Sequence, residues 1–320
     1  MSFFNFALLY IYYTYIYEEN PLKRLILVDY MLAQNLGSKP GDIGFCLAGL
    51  CAGRNGETLY GLDGSCGEVI QIDIRNKQCR TVFDCGDSYT IYDMTSLSGN
   101  GREGEILAIL IKKDDPSQCG EVWALEETEK MEFENTARCE LKTYVHSMWP
   151  GVIAGMNCAV AVCQSETPTI HVWRLSEQEA HEFHIPCCEC QIVGLCAMEN
   201  SLGREELFAV TFSNHSIGFF AMEMNGLVKV RDLQLEFTPS GLLWIECKQT
   251  LLLGETEWVP DKLCALRVTG REVTKFNVAI DDNQGFDVKF WCAFHDTRGT
   301  ENGIAIFDCW SNSLKIFDLA

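Results

Sequence analysis

The chain has 320 residues, 47% hydrophobic and 22% charged, a balance that supports a sizeable buried core and excludes disordered, collagen-like and coiled-coil architectures. Its 25 Lys and Arg against 45 Asp and Glu leave a net charge of -20, which repels phosphate backbones and anionic headgroups and argues against a nucleic-acid partner. Seventeen Cys, an odd number with several inside apolar runs such as Cys158 and Cys163, fall below the density of a disulfide scaffold and fit a reducing, cytoplasmic setting.

Residues 1–17 are uncharged and carry eight aromatic residues, Phe3, Phe4, Phe6, Tyr10, Tyr12, Tyr13, Tyr15 and Tyr17. The stretch reaches only the lower edge of a membrane-spanning length, lacks the basic start and small-residue cleavage site of a secretory signal, and would place five Tyr badly at mid-bilayer. It reads as an extension over 1–21, unstructured or an edge strand, with a single domain over 22–320. A membrane-tethered lumenal protein is disfavoured; it would need this stretch to insert and Asn214 of Asn214-His215-Ser216 to carry glycan.

Beyond that stretch an apolar run, a polar turn and a second apolar run recur six times: Glu57 to Ile74, Gly104 to Leu125, Asn157 to Leu175, Glu205 to Met222, Gln249 to Val268 and Asn302 to Leu319. The second run of each pair opens at Val69, Val122, Ile170, Ile217, Leu263 and Leu314, in steps of 53, 48, 47, 46 and 51 residues. Ahead of each pair lies another apolar segment: Ile43 to Ala52, Tyr89 to Leu97, Val145 to Ala154, Cys190 to Met198, Gly241 to Cys247 and Phe286 to Phe294. Behind it lies a more polar one: Cys79 to Phe83, Met131 to Phe133, His181 to Ile185, Leu227 to Leu235 and Val273 to Ile280.

Each period therefore holds four short strands. Four antiparallel strands cannot cover both of their faces, and sheets of that size repeated at this period stack radially around a channel. The fold class is all-β, a β-propeller of four-stranded antiparallel blades, six in number with seven as the alternative. Innermost strands should be uniformly apolar and outermost ones alternating and charged, as at Lys77 and Arg80, or His181, Glu182 and His184. Connections too short and too rich in Gly and Ser for amphipathic helices exclude two α/β domains.

Thr169-Ile170-His171-Val172-Trp173-Arg174-Leu175 and Ser313-Leu314-Lys315-Ile316-Phe317-Asp318-Leu319 resemble the third strand of WD40-type repeats. No blade has the Gly-His pair or a Trp-Asp ending, so the resemblance is to a divergent WD40-like propeller. It implies a protein-interaction scaffold without catalysis. The last repeat stops after its third strand, while Leu25 to Val28 and Met31 to Leu36 supply strand-like material before the first. An N-terminal strand is therefore expected to complete the last blade and close the ring.

Chemistry-bearing motifs are few. His181, His184, Cys187, Cys188 and Cys190 fall within ten residues and are all types that bind zinc, but His181 and His184 would face opposite sides of a strand and no Cys-x-x-Cys knuckle is present. A solvated outer strand is the favoured reading, and no cofactor is expected. Gly99-Asn100-Gly101-Arg102-Glu103-Gly104 matches a dinucleotide fingerprint but leads into a strand rather than a helix, and reads as a turn. No Gly-x-Ser-x-Gly elbow exists. The rival function is a calcium-dependent hydrolase of the six-bladed lactonase-like kind, with channel ligands drawn from carboxylates such as Asp63, Asp93, Asp114, Asp115, Asp281, Asp282, Asp287 and Asp296.

In a propeller, turns joining strands two and three share one face with turns joining successive blades. Trp258, Asp261, Trp310 and His215 fall in such turns and are the candidate contacts for a protein or peptide partner, with Lys112, Lys113, Asp114 and Asp115 at the rim. Acidic composition favours a basic partner. Trp123, Trp173, Trp244 and Trp291 lie in apolar runs and are assigned to packing between blades.

Overall fold

In the computed structural model the described residues are 24–32, 47–53, 58–63, 67–74, 76, 78–97, 106–113, 120–130, 132–141, 145–153, 156–163, 169–174, 177, 179–185, 190–198, 207–223, 226–245, 248–255, 263–269, 272–281, 290–295, 302–308 and 313–319. They form 25 β-strands and no α-helix. The first sheet holds β2 (Leu47–Ala52), β3 (Thr58–Asp63), β4 (Glu68–Asp73) and β5 (Gln78–Asp84), and the second β6 (Tyr89–Leu97), β7 (Ile106–Lys113), β8 (Glu121–Glu127) and β9 (Phe133–Glu140). The third has β10 (Val145–Ile153), β11 (Met156–Cys163), β12 (Thr169–Arg174) and β13 (His181–His184), and the fourth β14 (Ile192–Met198), β15 (Leu207–Phe212), β16 (Ser216–Glu223) and β17 (Gly226–Gln234). The fifth has β18 (Pro239–Ile245), β19 (Thr250–Glu255), β20 (Leu263–Thr269) and β21 (Glu272–Asn277). A sixth, five-stranded sheet runs β22 (Ala279–Asp281), β1 (Arg24–Leu32), β25 (Ser313–Leu319), β24 (Asn302–Asp308) and β23 (Phe290–His295).

The first strand of each sheet touches its counterparts in the two neighbouring sheets, in the cyclic order β2, β6, β10, β14, β18, β23 and back to β2. Packing closes the same circle. Among the described residues there are six apolar clusters, each straddling one pair of neighbouring sheets. Leu50, Leu59 and Ile72 of the first sheet meet Cys292, Ala305 and Leu314 of the sixth, so the last interface is built like the others.

Strand β15 shows why the inner strands are uniformly apolar. All six of its side chains are buried, and because alternate residues point to opposite faces, Phe208 and Val210 pack toward the third sheet while Leu207 and Ala209 pack toward the fifth. Each such burial is worth about 1.5–3 kcal/mol for a large aliphatic or aromatic side chain, and an isolated sheet would forfeit it on both faces. Outer strands alternate instead: β9 and β17 cover, fully or in part, every second or third residue and expose Glu134, Glu140, Lys229 and Arg231 between them. Trp123 and Trp173 belong to the clusters between the first and second and the second and third sheets, and Trp244 packs at the boundary of the fourth and fifth. The side chain of Trp291 lies outside the described residues.

Two elements depart from the sequence reading. The fourth strand of the second sheet is not Met131 to Phe133 but β9, whose only buried positions are Phe133 and Cys139; a strand this polar leaves little hydrophobic signal to find. The run Val273 to Ile280 is also not one strand. It breaks at Val278, which is buried against Ile304, Ile306 and Phe317 of the sixth sheet, and residues 279–281 leave as β22 to pair in parallel with Arg24–Ile26. Strand β1 pairs antiparallel with β25 from Leu25↔Leu319 to Leu32↔Ser313, so a strand from near the start of the chain supplies the outer position of the last sheet.

Candidate functional site

Backbone hydrogen bonds show which connections share an end of the ring. The first residue after the fourth strand donates to the residue just before the third strand in three sheets: Cys85 to Gly67 (3.0 Å), Leu141 to Gly120 (2.9 Å) and Leu235 to His215 (2.7 Å). Ser213 also donates to Gln191 (2.9 Å), tying the turn between strands two and three of the fourth sheet to the segment that enters that sheet. At the opposite end, Val268 near the end of β20 donates to Gln249 (3.0 Å), the residue before β19. In the first, second and fourth sheets the connections between strands two and three and those leaving the sheet thus share one end.

On that face His215 is exposed and sits in the left-handed region at φ 62, the conformation a tight turn demands. Its Nδ1 lies 2.7 Å from Thr238 Oγ1, and its carbonyl accepts from Leu235 N and from Gln234 Nε2 (3.2 Å). Thr238 immediately precedes β18, so His215 pins the turn of the fourth sheet to the crossing into the fifth. Trp258 and Asp261, between β19 and β20, and Trp310, between β24 and β25, lie outside the described residues, as does the Gly99–Gly104 turn between β6 and β7.

Among the zinc-type residues, His184 lies opposite Thr169 on β12, with Nδ1 3.2 Å from Thr169 Oγ1. His181 lies opposite Val172 on the other face, with Nε2 3.0 Å from Glu177 Oε2. Cys190 is half-buried, and Cys187 and Cys188 lie outside the described residues. No group of three or more His, Cys, Asp or Glu able to hold a metal ion occurs among the described residues. His171, 2% exposed and not singled out by its motif, faces Glu182 across the strand pair with Nδ1 3.8 Å from Oε1.

Cys196, Cys264 and Cys292 are free thiols, and burial sets their chemistry. It pushes Cys196 up to about 12 and Cys264 to about 11, in the latter case with Lys275 pulling the other way, and holds Cys292 far above the ordinary thiol value. Native protein at pH 8 should therefore leave these three unlabelled by a thiol-reactive dye that labels all of them in denaturant. The sign for stability follows. The folded thiols keep protons that the unfolded chain releases near pH 9, so the unfolding midpoint should fall as pH rises from about 9 toward 12.

A feature invisible to spacing alone recurs on the loop-rich face. In five of the six innermost strands the register slips by one residue near the start, leaving Ala48, Tyr92, His146, Val193 and Ser240 on β-bulges. The flanking sequences share a form: Leu47-Ala48-Gly49-Leu50, Ile91-Tyr92-Asp93-Met94, Val145-His146-Ser147-Met148, Ile192-Val193-Gly194-Leu195 and Pro239-Ser240-Gly241-Leu242. An apolar residue or proline and a Leu or Met frame a small or polar residue, while the bulged position itself varies. Tyr92 is 43% exposed and is the exposed large aromatic residue among the described ones. This four-residue pattern is the sequence signal that would have located it.

No family model matches the chain, and no curated protein matches it. Solved structures do. Chaetomium thermophilum Raptor is similar at a TM-score of 0.58 with 9% identity, over 95% of this chain and 29% of that one. The β-propeller domain of Myceliophteria thermophila Cps50 (Swd1) gives 0.55 with 9% identity over 92% and 100%. Kuenenia stuttgartiensis hydrazine synthase gives 0.56 with 11% identity over 85% and 83%. At such identities the likeness is one of fold, and with the ring described above it defines the class. The chain is an all-β propeller of four-stranded antiparallel sheets, similar to the WD40-type propellers of Raptor and Swd1. No helix among the described residues is long and apolar enough to cross a membrane.

Proposed function

We propose that the chain is a non-catalytic protein-interaction scaffold that binds a protein or peptide segment on the face shared by the connections between strands two and three and those between sheets. The supporting observation is that in the first, second and fourth sheets backbone hydrogen bonds bring both sets of connections to one end of a ring of cores, so their side chains are displayed on a fixed frame. The fold likeness to WD40-type propellers supports the same role. Trp258, Trp310, His215 and Asp261 are proposed as contacts, because a Trp held in a turn offers large area at small entropic loss. The excess of acidic over basic residues favours a basic partner and disfavours nucleic acid. Seventeen Cys, with free thiols at Cys196, Cys264 and Cys292, suit a reducing intracellular compartment.

The test is quantitative co-precipitation from cell extract with the intact chain and with a variant carrying both Trp258→Ala and Trp310→Ala. Partners held by the intact chain should fall by roughly tenfold or more on the variant, the scale of losing a buried Trp anchor. Equal recovery would remove these residues from the contact surface while leaving the fold untouched.

A further inference from the structure

The first two sheets carry a feature on the loop-rich face that deepens the reading above and rests on it. At the bulge of β6 the variable position is the exposed Tyr92, and the next residue, Asp93, is the charged member of a position that is Gly or Ser in the other four bulges. Asp93 is held in place, its Oδ1 accepting from Met94 N at 2.8 Å. Upstream, the segment entering β6 carries exposed Asp84 and Asp87, and Asp84 Oδ1 accepts from Gly86 N at 2.7 Å, which fixes that turn. Strand register puts Asp63, Glu68, Glu121 and Glu140 at the same end of these two sheets. The described cations at this end are Lys112, opposite Thr90 of β6, and Arg138, which is stacked over Trp123 at 4.3 Å.

We propose that Tyr92 seats a cationic side chain, lysine or arginine, of the bound protein segment, with Asp93 and the Asp84–Asp87 turn supplying the opposing charge. Two arguments choose this occupant. An aromatic face attracts an ammonium or guanidinium through its quadrupole, an attraction worth more when carboxylates nearby raise the local cation concentration. An acidic or phosphorylated segment would meet the carboxylates of Asp84, Asp87 and Asp93 and be repelled. The position also differs from the contacts chosen by sequence, which lie in the fourth, fifth and sixth sheets, so the two can be separated experimentally.

The experiment measures fluorescence anisotropy of fluorescein-labelled (Gly-Ser-Lys)4, (Gly-Ser-Gln)4 and (Gly-Ser-Glu)4 peptides with the full chain at low salt, about 50 mM, where screening is weak. The lysine peptide should bind and the other two should not. Tyr92→Ala should weaken binding about tenfold and Tyr92→Phe hardly at all, as a ring-face contact requires. Asp93→Asn should weaken it several-fold, whereas Asp232→Asn, which makes the same charge change on the outer strand β17 beside Lys229, should not. Tyr92 is exposed, so its variants should melt with the parent. Unaltered binding by Tyr92→Ala, equal losses at Asp93 and Asp232, or no binding of the lysine peptide would each overturn the proposal. Partner loss in the Trp258 and Trp310 variant would still stand in all three cases, so failure here is distinguishable from failure of the scaffold reading.

Discussion

Deleting residues 1–32 is expected to destabilise the whole ring, because strand β1 lies between β22 and β25 in the sheet that joins the end of the chain to its beginning. The deletion removes seven registered pairs with β25, leaves the full edge of that strand open and strips β22 of its partner. At about 0.5–1.5 kcal/mol for each net backbone hydrogen bond, the loss is roughly 3 kcal/mol or more. In a domain of this size 1 kcal/mol moves the melting temperature by roughly 2–4 °C, so the shortened chain should melt some 10 °C lower or fail to stay in solution. Deleting only residues 1–21, which stops short of β1, should change the melting temperature by no more than about 2 °C. A synthetic peptide spanning 22–34, added in excess, should restore part of the loss by mass action. Equal melting of the 33–320 chain and the full chain would show that β1 does not hold the ring shut.

Trp173→Ala should be among the most damaging single substitutions. Its side chain is 1% exposed and fills the boundary between the second and third sheets, against Leu97, Ile106, Leu110 and Val122. Its Nε1 donates to the carbonyl of Glu177 at 3.0 Å, so truncation leaves both a cavity and a carbonyl without that donor. Large aromatic truncations in well-packed cores cost about 3–5 kcal/mol, and the residues lining this site come from two different sheets that cannot close the gap independently. Chemical denaturation should show that loss with an unchanged slope. Trp173→Phe should recover about half by refilling most of the space. A loss below about 1 kcal/mol for the alanine variant would mean that the cluster repacks and that this boundary is softer than its burial indicates.

The same residue shows how much could be read in advance. Trp173 stands out in Thr169–Leu175 because the third strand is covered on both faces, and a continuous apolar run of that length has few alternatives to a buried strand. The inner strands were legible for the same reason, and their regular spacing led to a ring. His215 was placed on the right kind of turn, but the hydrogen bond that makes it a tie between two sheets joins it to Thr238, 23 positions away, which no local pattern encodes. Tyr92 was missed because a bulge is a relation between two strands: one extra residue on β6 opposite β7 turns a ring outward that simple alternation would have assigned without distinction.

What the amino-acid sequence determined by itself was the repeat, the four strands within it and the division between covered inner and solvated outer strands, since all three are written in the local alternation of apolar and polar side chains. Tertiary structure alone decided the polar strand β9, the parting of β22 from β21 at Val278 and the register slips that bring Tyr92 to the surface. Those outcomes depend on backbone hydrogen bonds and packing between segments distant in the chain, whose energies are shared among many partners and leave no mark on any one stretch of residues.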